Sequence, residues 1–194
     1  MLRCPGGLIE IRPGGPADAA AIRSFITGLS PRTQYLRFFA GVAPPGSALL
    51  RGLTGTGNGA DIVVATCRGP AGSEPAGGAP IVGHAMAADG ADADGTPAVN
   101  IGLVVADGIQ RHGVGSALMR MLLARAFARG ARIAEMDVLP GNARVLAMIH
   151  RHWPGARRHY TGDSVLIRAT LTAPSLMPGP AVPRRPAAAL AGKA

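Results

Sequence analysis

The chain has 194 residues, 47% of them apolar, which suits one globular domain with its own core. No apolar run reaches the ~20 residues that a membrane span needs, and the N-terminal residues lack the apolar segment of a secretory signal. The formal net charge of +9 comes mostly from scattered arginines in a chain with 4% aromatic residues. Solvated surface therefore explains this charge better than a nucleic-acid groove.

Strand and helix patterns alternate along the chain. In chain order, strands are predicted at 8–13, 61–68, 81–88, 98–107, 132–140 and 164–171, and helices at 16–28, 31–39, 113–130 and 142–153. Alternation of apolar residues or dense β-branched residues indicate the strands. Ser30 before Pro31 is typical of a helix N-terminus. The order predicts one α/β domain over residues 1–171.

Four segments are predicted to lack regular structure. They are an irregular stretch at 43–60 with one turn near 49–53, a long hairpin loop at 69–80, a solvated turn at 89–96, and a disordered Pro/Ala-rich tail at 172–194. Asp89, Asp92 and Asp94 resemble a calcium loop only superficially, because the downstream Glu of such a loop is missing.

The residues that commonly bind metals are sparse. Cys4 and Cys67 fit neither a disulfide framework nor a zinc cluster. His150 and His152 lack a carboxylate or cysteine close in sequence, and we expect them to form the basic last turn of a helix. We therefore expect no metal site, and a cytoplasmic protein in a reducing compartment.

The segment "QRHGVGSA", from Gln110 to Ala117, lies between a predicted strand and a predicted helix. Glycines let the backbone approach a ligand, and the unpaired amides of a helix N-terminus favour an anion such as a phosphate. A Walker loop requires a lysine that this segment lacks. A dinucleotide fingerprint requires a third glycine where this chain has Leu118. A different phosphate-binding loop is therefore indicated.

The remaining pattern, Gln-x-x-Gly-x-Gly, resembles the coenzyme A pyrophosphate loop of the GNAT superfamily of N-acetyltransferases. The strand "VNIGLVVAD" before it, the long helix after it, and the spacing from Val138 to Asn142 are similar to that family as well. The resemblance implies an α/β, three-layer fold: a mixed sheet of six to seven strands flanked by about four helices. It also implies that acetyl-CoA is the co-substrate.

The resemblance assigns residues to the cofactor. Backbone groups of the strand would hold the pantetheine arm and the thioester oxygen, the loop amides would hold the pyrophosphate, and Asn142 would contact the cofactor near the pantetheine. The positions so implied are Leu103, Val104, Val105, Gln110, Arg111, His112, Gly113, Val114, Gly115, Ser116 and Asn142.

The positions for acid–base chemistry depart from the family. Many relatives have a Glu where this chain has Asn100, and a Tyr where it has Ile149. Asn100 cannot take a proton but can orient a water molecule. Glu135 and Asp137, which point to the same side of their strand, and His84 are candidate bases. A carboxylate paired with an arginine and a core histidine are the alternative explanations.

Two functions are consistent with these residues. One is an N-acetyltransferase that transfers the acetyl group directly to an amine, either a small molecule or a protein lysine. The second is a catalytically weak acyl-CoA-binding regulator. The segment from Leu29 to Phe39 resembles protein-lysine acetyltransferases, and within it Tyr35 and Arg37 either line the acceptor side or pack the helix. The partners expected are acetyl-CoA and the acceptor, not a membrane or nucleic acid, with a homodimer left open.

Overall fold

The computed structural model describes residues 2–4, 7–56, 59–69 and 78–173. The strands are β1 (Arg3–Cys4), β2 (Gly7–Pro13), β3 (Asp61–Arg68), β4 (Ile81–Ala91), β5 (Pro97–Val105), β6 (Ile133–Val138), β7 (Arg157–Thr161) and β8 (Ser164–Thr170). The α-helices are α1 (Ala19–Thr27), α2 (Pro31–Phe38), α3 (Ser47–Leu53), α4 (Val114–Ala128) and α5 (Ala143–His152).

The strands form one mixed sheet in the order β1-β2-β3-β4-β5-β6-β8-β7. Its pairs are antiparallel except for β5 and β6, which run parallel because the crossover through α4 joins them. The prediction of a mixed sheet with flanking helices is confirmed. The described sheet has eight strands, slightly more than the six to seven expected.

Each face of the sheet is covered by a separate apolar layer. On one face, Leu118, Leu122 and Leu123 of α4 are fully buried. On the other face, Ile22 and Ile26 of α1 are fully buried against β3 and β4. The sheet is therefore the middle of three layers, as the resemblance implied.

Three elements were not predicted as regular structure. The five residues of β7 are all exposed, so this edge strand shows no apolar alternation from which to predict it. The helix α3 lies in the Gly/Pro-rich stretch predicted as irregular, where only one turn near 49–53 was expected, and only Leu53 of this helix is buried. The two-residue strand β1 is too short to produce a pattern.

The two cysteines correct the sequence analysis. Cys4 and Cys67 are joined by a disulfide, whereas no disulfide was expected. The hairpin of β1 and β2 folds back until the two Cα atoms are 6.2 Å apart, within the range that a disulfide spans. The partners are separated by 63 positions in sequence. Cysteine usage therefore no longer argues for a reducing compartment.

The predicted loops have mixed outcomes. Asp92 accepts hydrogen bonds from the backbone of Asp94 and Thr96 and pairs with Arg168 at 2.8 Å, so this turn is tied to β8. Most of the predicted loop at 69–80 and all but the start of the predicted tail at 172–194 lie outside the described residues. Within the described part of the chain, no helix is long and apolar enough to cross a membrane.

Candidate functional site

The parallel strands β5 and β6 separate partway along their length. Their pairing runs from Ala98 and Ile133 to Asn100 and Glu135 and then ends, although both strands continue. Beyond Asn100, β5 pairs only with β4. The result is a wedge between the two strands, opening toward the glycine loop.

The backbone of β5 directs polar groups into this wedge. Just after β5, the Ala106 amide donates a hydrogen bond to the Val82 carbonyl of β4 at 2.9 Å. Because hydrogen-bonding direction alternates along an antiparallel pair, the groups of Val104 also face β4, and those of Leu103 and Val105 face the wedge. Consistently, the Val105 carbonyl accepts a hydrogen bond from the Gln110 side chain at 3.2 Å.

The glycine loop ends at the N-terminus of α4. Arg111 and Gly113 have φ angles of 71° and 81°, in the left-handed region. Gly113 is the N-cap of α4, and among the described residues no side chain caps the first amides of the helix. Free amides and the positive end of a helix dipole favour an anion at such a helix end.

The side chains of the loop residues differ in what they do. Gln110 bonds to the Val105 carbonyl, and His112 Nδ1 lies 3.0 Å from the Gln110 carbonyl oxygen. The Val114 side chain is buried in the core. The Gln110 and His112 side chains thus shape the loop from within, which leaves its backbone to face a ligand.

Asp107 connects this loop to α2, and the sequence analysis gave it no role. Its carboxylate accepts hydrogen bonds from the Ser30 amide at 3.0 Å, the Ser30 hydroxyl at 2.7 Å and the Thr33 hydroxyl at 2.6 Å. Burial acts to raise the pKa of Asp107, but these hydrogen bonds outweigh it and lower the pKa below its usual range. The start of α2 is thereby fixed beside the loop.

Asn100 and Glu135 lie together where the wedge begins. They are register partners across β5 and β6, and Asn100 is exposed. The Glu135 carboxylate pairs with Arg168 Nε at 2.9 Å, with about a quarter of its side chain exposed. Asp137, two residues further along β6, accepts a hydrogen bond from Ser164 at 3.2 Å. Of the acidic side chains, Glu135 is the one beside Asn100.

His84 is placed differently from the other candidate bases. It is fully buried, and its Nε2 lies 2.8 Å from the Leu53 carbonyl oxygen. Burial lowers its pKa to about 4, partly offset by the hydrogen bond to Leu53 and reinforced by the nearby charge of Arg37. A neutral, enclosed imidazole packs α3 against the sheet and has no route to an acceptor.

The two positions implied by the resemblance in α5 are occupied as follows. Asn142 is the N-cap of this helix, and its side chain accepts a hydrogen bond from the Val145 amide at 3.4 Å. Ile149 is buried in the core on the α4 face of the sheet. This helix therefore offers no acid to a leaving group from position 149.

Arg37 extends from α2 over the sheet on the face opposite α4. A Cβ atom at Gly102 would overlap its guanidinium, so the arginine lies directly on the backbone of β5, which we call the wedge strand. Its Nε is buried and makes no hydrogen bond. Sequence reasoning left its role open, because nothing local indicates that it reaches Gly102.

Comparisons with known proteins agree with this geometry. Residues 71–152 match the model of the acetyltransferase (GNAT) family, a segment that contains the wedge strand, the glycine loop and α5. No curated protein sequence matches the chain.

Solved structures show the same fold. The GNAT domain of PAT from S. lividans is 24% identical with a TM-score of 0.71, covering 88% of this chain and 94% of that one. Arabidopsis thaliana NAA60 in complex with acetyl-CoA is 17% identical (TM-score 0.62; coverage 84% and 99%). A phosphinothricin acetyltransferase from Sinorhizobium meliloti, in complex with acetyl-CoA, is 21% identical (TM-score 0.60; coverage 84% and 88%). The wedge, the glycine loop and these matches together identify the chain as a protein with the GNAT acetyltransferase fold.

Proposed function

We propose that this protein is an acetyl-CoA-dependent N-acetyltransferase that transfers the acetyl group directly to an amine. The observation that carries the proposal is the wedge between β5 and β6, which leads into the uncapped N-terminus of α4. A long ligand with a polar arm and a diphosphate matches this arrangement: the arm would lie along the backbone groups of β5, and the diphosphate would lie at the helix N-terminus. Two of the similar structures named above contain acetyl-CoA.

In this proposal the backbone does most of the binding. Leu103 and Val105 bond to the pantetheine arm through the groups that face the wedge, with Val104 between them paired to β4. The amides from Arg111 to Ser116 bind the pyrophosphate. Asn142 retains its side-chain amide for the cofactor while its oxygen caps α5.

The transfer needs an amine nitrogen to attack the thioester carbonyl. A C–N bond forms, the C–S bond breaks, and the amine loses a proton. In our proposal Asn100 holds a water molecule at the start of the wedge, and this water passes the proton to the Glu135 carboxylate. Arg168 holds that carboxylate in place. His84 is left out of the chemistry because it is fully buried, and the thiolate takes its proton from solvent.

The reaction is tested by thiol release from acetyl-CoA with a panel of small amines and lysine peptides. We expect release that depends on both substrates. Glu135→Gln should lower kcat by about 100-fold, the lower range for loss of a general base. The matched control is Asp137→Asn, on the same strand and face, which should stay within about threefold of the wild type.

The regulator remains the second candidate, and one observation favours it. The side chain at position 149 is a core isoleucine, so α5 supplies no acid for the thiolate. Acetyl-CoA binding without thiol release across the panel would support the regulator and contradict the enzyme. Equal activity of the Glu135→Gln and wild-type proteins would contradict the assigned base.

A further inference from the structure

Arg37 is a half-buried cation, and its Nε is enclosed without a hydrogen-bond partner among the described residues. Burial lowers its pKa to about 10, and no carboxylate among the described residues pairs with it. Its neighbours are the Phe38 ring, with the guanidinium carbon 4.9 Å from the ring centre, and the backbone of Gly102. Partial removal of a charge from water without a partner is unfavourable, so an anion that reached this guanidinium would be stabilised there.

The acidic side chains described around the wedge and the glycine loop have other partners. Glu135 is paired with Arg168, and Asp137 accepts from Ser164. Asp107 is occupied by Ser30 and Thr33. An anion that neutralises Arg37 therefore has to come from outside these side chains.

The position of Arg37 is built by two separate contacts. Asp107 fixes the first turn of α2 beside the glycine loop. At the other end of the helix, the missing side chain of Gly102 makes room for the guanidinium. Gly102 lies two residues, or about 7 Å, along β5 from Asn100. The cation thus lies on the wedge strand, close to where the proposed transfer takes place.

We propose that Arg37 binds a carboxylate carried by the acetyl acceptor, so that the acceptor is a small amine with a free carboxylate, as in an amino acid. This inference rests on the proposed function and names its substrate class. The planar fork of an arginine matches a carboxylate with two parallel hydrogen bonds. An acceptor that brings only an ammonium group meets an uncompensated like charge, which selects against a peptide lysine.

Matched pairs of an amino acid and its amide test this inference. Suitable pairs are glycine with glycinamide and β-alanine with β-alaninamide. Near neutral pH the less basic amine of the amide is the more fully deprotonated of the two. A preference for the acid therefore cannot come from a larger supply of free amine. Binding to CoA-saturated protein is measured by calorimetry, and kcat/KM is measured by thiol release from acetyl-CoA.

We expect the acid of at least one pair to bind about tenfold more tightly than its amide, the lower range for a hydrogen bond to a charged group. Arg37→Gln should abolish this preference through KM while leaving the affinity for acetyl-CoA unchanged. Arg37→Lys keeps the positive charge but loses the two parallel donors of the guanidinium, and it should retain part of the preference.

Two results would overturn the inference. One is a wild-type protein that binds no acid in preference to its amide. The other is an Arg37→Gln protein, or an Arg37→Lys protein if the first does not fold, that keeps the full preference. A protein that fails to bind acetyl-CoA, or that binds it and acetylates nothing, contradicts the proposed function instead. The calorimetric comparison of acid and amide still tests carboxylate binding at Arg37 when no acetyl group is transferred.

Discussion

Gly113 is the residue at which the loop geometry can be tested most sharply. Its φ of 81° is a conformation in which an L residue with a Cβ is strained. Holding alanine there costs about 1–2 kcal/mol. The added Cβ would also lie 3.2 Å from the Leu2 side chain, a tight contact that a flexible leucine can relieve. Backbone strain is therefore the main cost.

In the free Gly113→Ala protein the loop relieves this strain by leaving the left-handed conformation. Cofactor binding then has to restore the conformation, so the strain appears as lost affinity. A cost of about 1–2 kcal/mol corresponds to a dissociation constant for acetyl-CoA roughly 5- to 30-fold higher. Gly113→Val adds a branched side chain and should bind more weakly still.

The assay is calorimetric titration with acetyl-CoA, and Gly130→Ala is the matched control. Gly130 also has a positive φ, 105°, with no atom within 4 Å of an added Cβ. It follows the far end of α4, about 22 Å from the loop. Gly130→Ala should lose stability and keep its affinity for acetyl-CoA, whereas Gly113→Ala should lose affinity. Equal affinities for the two variants would refute the loop assignment.

Three further changes test the supporting contacts. Asp107→Ala should lower the free energy of unfolding, measured by chemical denaturation, by about 1–3 kcal/mol, because its hydrogen bonds to α2 are lost. The control is Asp163→Ala at an exposed position, which should stay within about 0.5 kcal/mol of the wild type. Cys4→Ser should cost about 2–4 kcal/mol, and adding Cys67→Ser should cost no more, because one bond is lost in both. His84 has its pKa lowered from 6.5 to about 4, so the unfolded chain gains its proton first as pH falls. The contribution of the neutral His84 to the free energy of unfolding should be fully present above pH 6.5 and fall by roughly 3 kcal/mol toward pH 4. In the His84→Gln protein this part of the pH dependence should be missing.

Contrary outcomes are specific to each contact. An Asp107→Ala protein as stable as wild type would mean that the bonds to Ser30 and Thr33 contribute nothing net. Additive losses from the two cysteine changes would show that each residue acts by packing and not through the disulfide. Parallel pH profiles for the wild-type and His84→Gln proteins would contradict the burial of a neutral imidazole.

Local patterns were enough to predict the glycine loop and the elements around it. Gly113 interrupts an apolar strand and an apolar helix, and both are visible over a window of a dozen residues. The Ser30 cap is equally local, and the structure confirms it with a bond from the Thr33 amide at 3.2 Å.

The remaining features depend on residues that are distant in sequence. Asp107 and Ser30 are 77 positions apart, and Cys4 and Cys67 are 63 apart. The spacing of apolar residues along the sequence does not predict such contacts, because they arise from the register of β2 with β3 and from the packing of α2 beside the loop. The contact of Arg37 with Gly102 is of the same kind, and a glycine in a strand indicates only that something approaches closely.

Binding of acetyl-CoA in the wedge and on the glycine loop is the central proposal. Amide chemical shifts of nitrogen-15-labelled protein, recorded while acetyl-CoA is added, test it directly. We predict saturable shifts at the amides of Leu103, Val105 and Arg111 to Ser116, with little change at Gly130. Unchanged amides at these positions, or shifts centred elsewhere on the sheet, would contradict it.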